Sequence, residues 1–189
     1  MTIWLLQLPR LDDTFSWGLK EIEHILRELN QPVEVLDINH AITKQFHDTE
    51  QWNIIEDYGI LGKSLLPIQD VKSCVADVID VIEPGDIVLS CVFTVESRAW
   101  FTLVHSMLRL THGKELLLGA GGQGVRAPGE EGNNSEWADW TLARGLSDIM
   151  FLGETPKTIP DWVSSGFSLR GKQYFAHDAF PHLGFLPQQ

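Results

Sequence analysis

The fold is decided by the stretch from Pro84 to Glu154, in which three short apolar runs alternate with helix-like segments. The runs are Ile87-Val88-Leu89-Ser90-Cys91, Glu115-Leu116-Leu117-Leu118 and Ile149-Met150-Phe151-Leu152, and the second leads into Gly119-Ala120-Gly121-Gly122-Gln123-Gly124. Short continuous apolar runs are typical of parallel strands that are buried on both faces. We expect the carboxyl ends of these strands to share one ligand crevice, because ligands of open α/β sheets bind there.

Two further strands are predicted ahead of this stretch. The run from Ile3 to Leu8 is stopped by Pro9, residues 15–29 carry apolar side chains at helical spacing, and residues 33–38 alternate between apolar and polar. Helices are also predicted over 71–82, 97–110 and 135–146, with one or two short ones in 39–66. Five strands alternating with helices predict an α/β fold, a doubly wound five-stranded parallel sheet of the flavodoxin-like or Rossmann-like kind.

The regular alternation ends at Glu154. Residues 155–189 hold four of the nine prolines and no long periodic segment. We therefore interpret residues 1–154 as one α/β domain and residues 155–189 as an extended tail or linker rich in proline and glycine.

Composition excludes several classes of protein. A formal net charge of -12 without any basic run argues against nucleic acid as a partner. The two cysteines, Cys74 and Cys91, form no Cys-x-x-Cys pair, and the seven histidines are scattered, so neither an iron–sulfur cluster nor another metal site is predicted within the chain. No apolar run is long enough to span a membrane, and the apolar start is too short for a signal peptide, so a cytoplasmic protein is expected.

The glycine-rich run after the fourth predicted strand fits more than one chemistry. Gly119 to Gly124 satisfies the G-x-G-x-x-G spacing of dinucleotide-binding proteins, but it does not follow the first strand, and no Walker-type lysine comes after it. Ser90 lacks the flanking glycines of a hydrolase nucleophile, and Cys91 is interpreted as a small apolar filler. The carboxylates Asp12, Asp13 and Asp37 lie near strand ends, where solvated or helix-capping roles are favoured.

The order of these motifs resembles the cobalamin-binding domain found at the N-terminus of radical S-adenosylmethionine enzymes. The matching segments are Leu8-Pro9, Trp17-Gly18-Leu19, Asp86 to Ser90, Leu116 to Gly122 and Asp148 to Glu154, and the part from Ile159 to Pro187 is similar to the family's linker. The resemblance covers most of the chain, but the catalytic barrel with its three-cysteine motif is missing from the sequence.

The resemblance implies a cofactor-binding module that is not catalytic alone and serves a radical S-adenosylmethionine domain or subunit, as in methyltransferase-type enzymes. Because residues 10–18 contain no histidine where the family's cobalt ligand falls, it implies cobalamin bound with its nucleotide base released from cobalt and no histidine in its place. The implied cofactor-binding residues are Trp17, Gly18, Ser90, Cys91, Val92, Phe93, Gly119, Gly121, Gly122 and Gln123.

Two other functions remain open at this point. A degenerate domain that has lost its cofactor would act as a protein-interaction module, for which the seven tryptophans and the proline-rich tail are suited. A flavodoxin-like protein that binds flavin or a nucleotide needs a phosphate loop after the first strand, and residues 10–16 are acidic and poor in glycine.

Overall fold

The computed structural model describes residues 1–10 and 16–174, and it contains a six-stranded parallel sheet. Asp12, Asp13 and the tail beyond Tyr174 lie outside the described residues. The strand order is β2-β1-β3-β4-β5-β6. The strands are β1 (Ile3–Gln7), β2 (Val33–Asp37), β3 (Ile87–Cys91), β4 (Leu117–Gly121), β5 (Ile149–Leu152) and β6 (Gly171–Tyr174).

Helices pack on both faces of the sheet. The described helices are α1 (Trp17–Glu28), α2 (Ile38–Phe46), α3 (Trp52–Ile60), α4 (Gln69–Ile79), α5 (Arg98–His112), α6 (Glu136–Ala143) and α7 (Thr155–Ser164). One core lies between the sheet and α1 with α7, around Leu5, Leu26 and Trp162. The other lies between the sheet and α2 to α6, around Trp100 and Phe101. The predicted doubly wound α/β architecture is thereby confirmed.

The prediction of five strands is wrong, because part of the predicted tail belongs to the sheet. Residues 155–164 form α7, and β6 pairs in parallel with β5 from Ile149↔Gly171 to Leu152↔Tyr174. Pro156 falls in the predicted tail, yet it stands in the first turn of α7, where a missing backbone N–H removes no helical hydrogen bond. The edge strand β6, Gly-Lys-Gln-Tyr, is only partly buried and has no apolar run by which to recognise it.

Two carboxylates, those of Asp86 and Asp148, stabilise the amino-terminal edge of the sheet. Asp86 accepts hydrogen bonds from the backbone N–H of Thr2 at 2.6 Å, from Trp4 Nε1 at 2.8 Å and from the backbone N–H of Glu83 at 3.1 Å. Asp148 accepts from Arg109 at 2.6 Å and from the backbone N–H of Leu118 at 2.8 Å. These aspartates therefore hold strands together at the edge opposite the predicted crevice.

The strand order creates a crevice at the carboxyl edge. The chain moves outward from β1 to β2 and then returns to place β3 on the other side of β1. The connections that leave β1 and β3 consequently diverge to opposite faces, which opens the sheet edge between them. No helix within residues 1–10 and 16–174 is long and apolar enough to cross a bilayer.

Candidate functional site

A cleft of about 1020 Å³ opens at the carboxyl edge of the sheet. Its sides are the first turns of α1 and α7 and the loops that follow β3 and β4. Its floor is apolar and consists of Leu5, Leu19, Ile22, Leu89 and Phe151, all of them buried. The cleft thus combines an apolar floor with walls of loop backbone, the usual composition of a small-molecule site.

Most of the residues predicted for the ligand meet at this cleft. Seven of the ten line it: Gly18, Ser90, Cys91, Phe93, Gly121, Gly122 and Gln123. The other three lie elsewhere. Trp17 is 85% exposed, Val92 is fully buried, and Gly119 stands inside the sheet between Leu89 and Ile149. A Cβ on Gly119 would come within 2.8 Å of both neighbours, so its missing side chain makes room for protein rather than for a ligand.

The glycine run after β4 lets two loops approach each other. Gly122 has a φ of 113°, and a Cβ there would lie 2.5 Å from the carbonyl oxygen of Val92. A Cβ on Gly124 would lie 2.2 Å from the carbonyl oxygen of Thr94. Backbone hydrogen bonds from Val92 N–H to Gly121 and from Gly124 N–H to Val92 join the same segments. These glycines therefore fix the shape of the cleft wall, because no side chain fits between the loops.

Ser90 forms a buried network with His105 of α5. The Nδ1 atom of His105 lies 2.7 Å from the carbonyl oxygen of Leu146, which can only accept, so Nδ1 carries the proton of the neutral ring. Nε2 must then accept from the Ser90 hydroxyl at 2.8 Å. Burial lowers the pKa of His105 to about 4, which keeps the ring neutral near pH 7. The Ser90 hydroxyl thus donates its proton to His105 on the α5 side of the sheet.

Cys91 points to the opposite side of the sheet, toward α1. Its Sγ lies 3.5 Å from Oγ of Ser16, which precedes the first residue of α1. Burial raises the pKa of the Cys91 thiol, while the contact with Ser16 and the charge of Arg10 act in the other direction. The protonated thiol is a weak nucleophile, which fits the interpretation of Cys91 as a small filler.

The rim of the cleft is acidic. Among the described lining residues are the carboxylates Glu21, Glu96, Glu130, Glu131 and Glu154, and the one cationic lining side chain described is Arg126. Glu154 also forms an ion pair with Lys157. The pKa of Glu130 is lowered by hydrogen bonds from the backbone N–H groups of Glu136 and Ala127, and that of Glu96 by its own backbone N–H and by Thr94. These two carboxylates are therefore ionised at neutral pH and present hydrogen-bond acceptors to the cleft mouth.

Sequence reasoning missed the floor and one wall of the cleft. The floor residues look like ordinary core positions in sequence, because only the strand order brings the ends of β1, β3 and β5 together. The wall formed by Thr155 and Pro156, and the rim residue Tyr174, fell within the predicted tail. The one available signal was Pro156 directly after Gly-Glu-Thr, since proline is common in the first turn of a helix.

Within the described part of the chain, no group of three or more histidine, cysteine, aspartate or glutamate side chains is arranged to hold a metal ion. Comparison of the chain with family models and with curated proteins found no match.

Proposed function

We propose that the chain is a cofactor-binding module that holds cobalamin in the cleft, with the nucleotide base released from cobalt and no protein nitrogen in its place. The module would serve a radical S-adenosylmethionine domain or subunit. The observation that carries this proposal is the apolar floor between α1 and α7, at the carboxyl edge where the connections after β1 and β3 diverge.

The floor suits a flat aromatic base. Leu19 and Ile22 of α1 bound it on one side, Leu5 and Leu89 form its bottom, and Phe151 closes the end beside α7. Burial of an aromatic base against such side chains is favourable by roughly 25 cal/mol per Å² of apolar surface. A cleft of about 1020 Å³ is of the size that cofactor-sized ligands occupy.

The acidic rim distinguishes among the ligands considered. The edge of a corrin ring carries amide arms, whose N–H groups can donate to Glu96, Glu130, Glu131 and Glu154. The terminal phosphate of flavin mononucleotide or of a nucleoside triphosphate would instead meet a rim whose described carboxylates outnumber Arg126 and the neighbouring cations Arg98 and Lys157. The rim therefore supports the corrinoid proposal over a flavin or a nucleotide.

Cobalt would supply the group-transfer or radical chemistry when the cofactor is bound. The residues of this chain would bind and orient it. The floor would hold the base, the loops after β3 and β4 would lie beneath the ring, and the rim would hold the amide arms.

A protein-interaction module without cofactor is the second candidate. The observation in its favour is the exposed apolar surface at the cleft mouth, where Phe93 and Val95 are each 37% exposed. Large apolar side chains exposed together often mark an interface. The same side chains would also contact a corrin ring, so ligand binding decides between the two candidates.

Absorption spectroscopy tests the proposal. The purified chain is titrated with hydroxocobalamin and, separately, with flavin mononucleotide. The absorption spectrum of hydroxocobalamin is expected to change to that of the base-off form, and the flavin spectrum is expected to stay unchanged. Gly18 lines the cleft, and a Cβ added there would lie no closer than 3.7 Å to its nearest neighbour, Ser16 Oγ. Gly18→Phe is therefore expected to fold, and its ring is expected to occupy the cleft and abolish binding. Glu28→Phe, at the far end of α1, is the matched control and should bind as the wild type does. An unchanged corrin spectrum with the wild-type chain would refute the proposal.

A further inference from the structure

Thr155 lines the cleft at the start of α7, and its hydroxyl has no hydrogen-bond partner. Thr155 is the first residue of α7, and its Oγ1 is buried and bonds to no described residue. Buried hydroxyl groups are nearly always paired, and an unpaired one lowers stability. A polar atom of this kind at the wall of a cleft indicates a partner that arrives with the ligand.

The position of the hydroxyl depends on Gly121 at the end of β4. A Cβ on Gly121 would lie 2.6 Å from Thr155 Oγ1 and 3.3 Å from Thr155 Cγ2. The glycine therefore leaves a recess that the threonine side chain fills. Rotation about χ1 by about 120°, from one staggered rotamer to the next, would turn Oγ1 from this recess toward the cleft.

The other polar side chains near the floor already have partners. The Ser90 hydroxyl donates to His105 on the α5 side of the sheet, and Cys91 Sγ contacts Ser16 Oγ on the α1 side. Leu5, Leu89 and Phe151 offer no polar atom from their side chains. Thr155 is thus a hydroxyl of the wall beside the floor that is buried, has no protein partner and can donate its proton to a ligand.

We propose that Thr155 is the specificity-determining residue of the cleft and donates a hydrogen bond to a ring nitrogen of a flat heteroaromatic group lodged between α1 and α7. This inference rests on the proposed function. In cobalamin the acceptor is the benzimidazole nitrogen that release from cobalt leaves free. The contact to the base would come from α7 rather than from Ser90, whose proton is committed to His105.

Two corrinoids and two variants test this inference. Binding of cobalamin and of cobinamide, which lacks the nucleotide base, is measured by absorption titration for the wild type, Thr155→Val and Thr155→Ser. Valine matches the shape of threonine without the hydroxyl, whereas serine keeps the hydroxyl. Thr155→Val is expected to weaken cobalamin binding about 3- to 10-fold, the effect of one hydrogen bond, and to leave cobinamide binding unchanged. Thr155→Ser should stay within about 2-fold of the wild type for both.

The ligand-free proteins provide a second readout. Because Thr155→Val removes an unpaired buried hydroxyl, its melting temperature without ligand should equal or exceed that of the wild type. The inference is overturned if Thr155→Val binds cobalamin as the wild type does, or if it weakens both corrinoids equally. If the wild type binds neither corrinoid, the proposed function fails and this inference fails with it.

Discussion

Replacement of His105 by glutamine is expected to remove most of the pH dependence of stability between pH 6.5 and about 5. The imidazole is fully buried, stacks on Phe101 with ring centroids 3.8 Å apart, and bonds to Ser90 and Leu146. Of its charged neighbours, Arg109 also lowers its pKa and Asp148 raises it. A glutamine amide can accept from Ser90 through Oε1 and donate to Leu146 through Nε2, and it does not titrate in this range.

The sign and size of the effect follow from the lowered pKa. Burial brings the pKa of His105 from the usual 6.5 to about 4, so between these values the unfolded chain binds a proton that the folded chain does not. The contribution of His105 to the free energy of unfolding is therefore greatest above pH 6.5 and falls as the pH drops toward 4. Each pH unit contributes about 1.4 kcal/mol, so the whole window amounts to about 3 kcal/mol.

Urea unfolding followed by tryptophan fluorescence at intervals from pH 5 to 7.5 measures this slope. The lower limit keeps the carboxylates ionised, so that histidine dominates the change. The wild type should lose about 1.4 kcal/mol per pH unit below 6.5, and His105→Gln should be nearly flat. His40→Gln, at an exposed position of α2, is the matched control and should keep the wild-type slope. Equal slopes for the wild type and His105→Gln would refute the reasoning.

Two further substitutions test the cleft wall and the opposite edge of the sheet. Gly124→Ala should destabilise the protein by at least about 2 kcal/mol in urea unfolding, because the added Cβ would lie 2.2 Å from the carbonyl oxygen of Thr94. Gly18→Ala, whose Cβ meets no such contact, should be neutral or stabilising, and equal effects of the two changes would contradict this account. Asp86→Ala should lower the free energy of unfolding at pH 7 by about 2–4 kcal/mol, because three N–H groups lose their acceptor. Since the pKa of Asp86 is lowered from 3.8, the difference from the wild type should shrink as the pH falls below that value, and a difference that persists there would count against it.

Most of the fold could be predicted from the sequence because its strands are buried on both faces. Continuous apolar runs such as Ile87–Leu89 and Ile149–Leu152 are visible in one dimension, and so are the helical stripes between them. Edge strand β6 was not visible, since an edge strand is half exposed and needs no apolar run. The helix α7 was hidden by its two prolines, because Pro156 stands in the first turn but Pro160 lies inside the helix, where proline is uncommon.

The sequence by itself determined the α/β class, the parallel orientation of the strands and the glycine-rich wall of the cleft, because each depends on local composition and spacing. It also pointed to seven residues that the structure brings to one cleft. Only the tertiary structure decided toward which face of the sheet each side chain points. Ser90 and Cys91 are adjacent in sequence, yet one bonds to α5 and the other contacts Ser16 beside α1, since successive side chains of a strand point to opposite faces. The unpaired hydroxyl of Thr155 likewise emerges only when α7 packs against Gly121, a contact between residues 34 positions apart that no local pattern encodes.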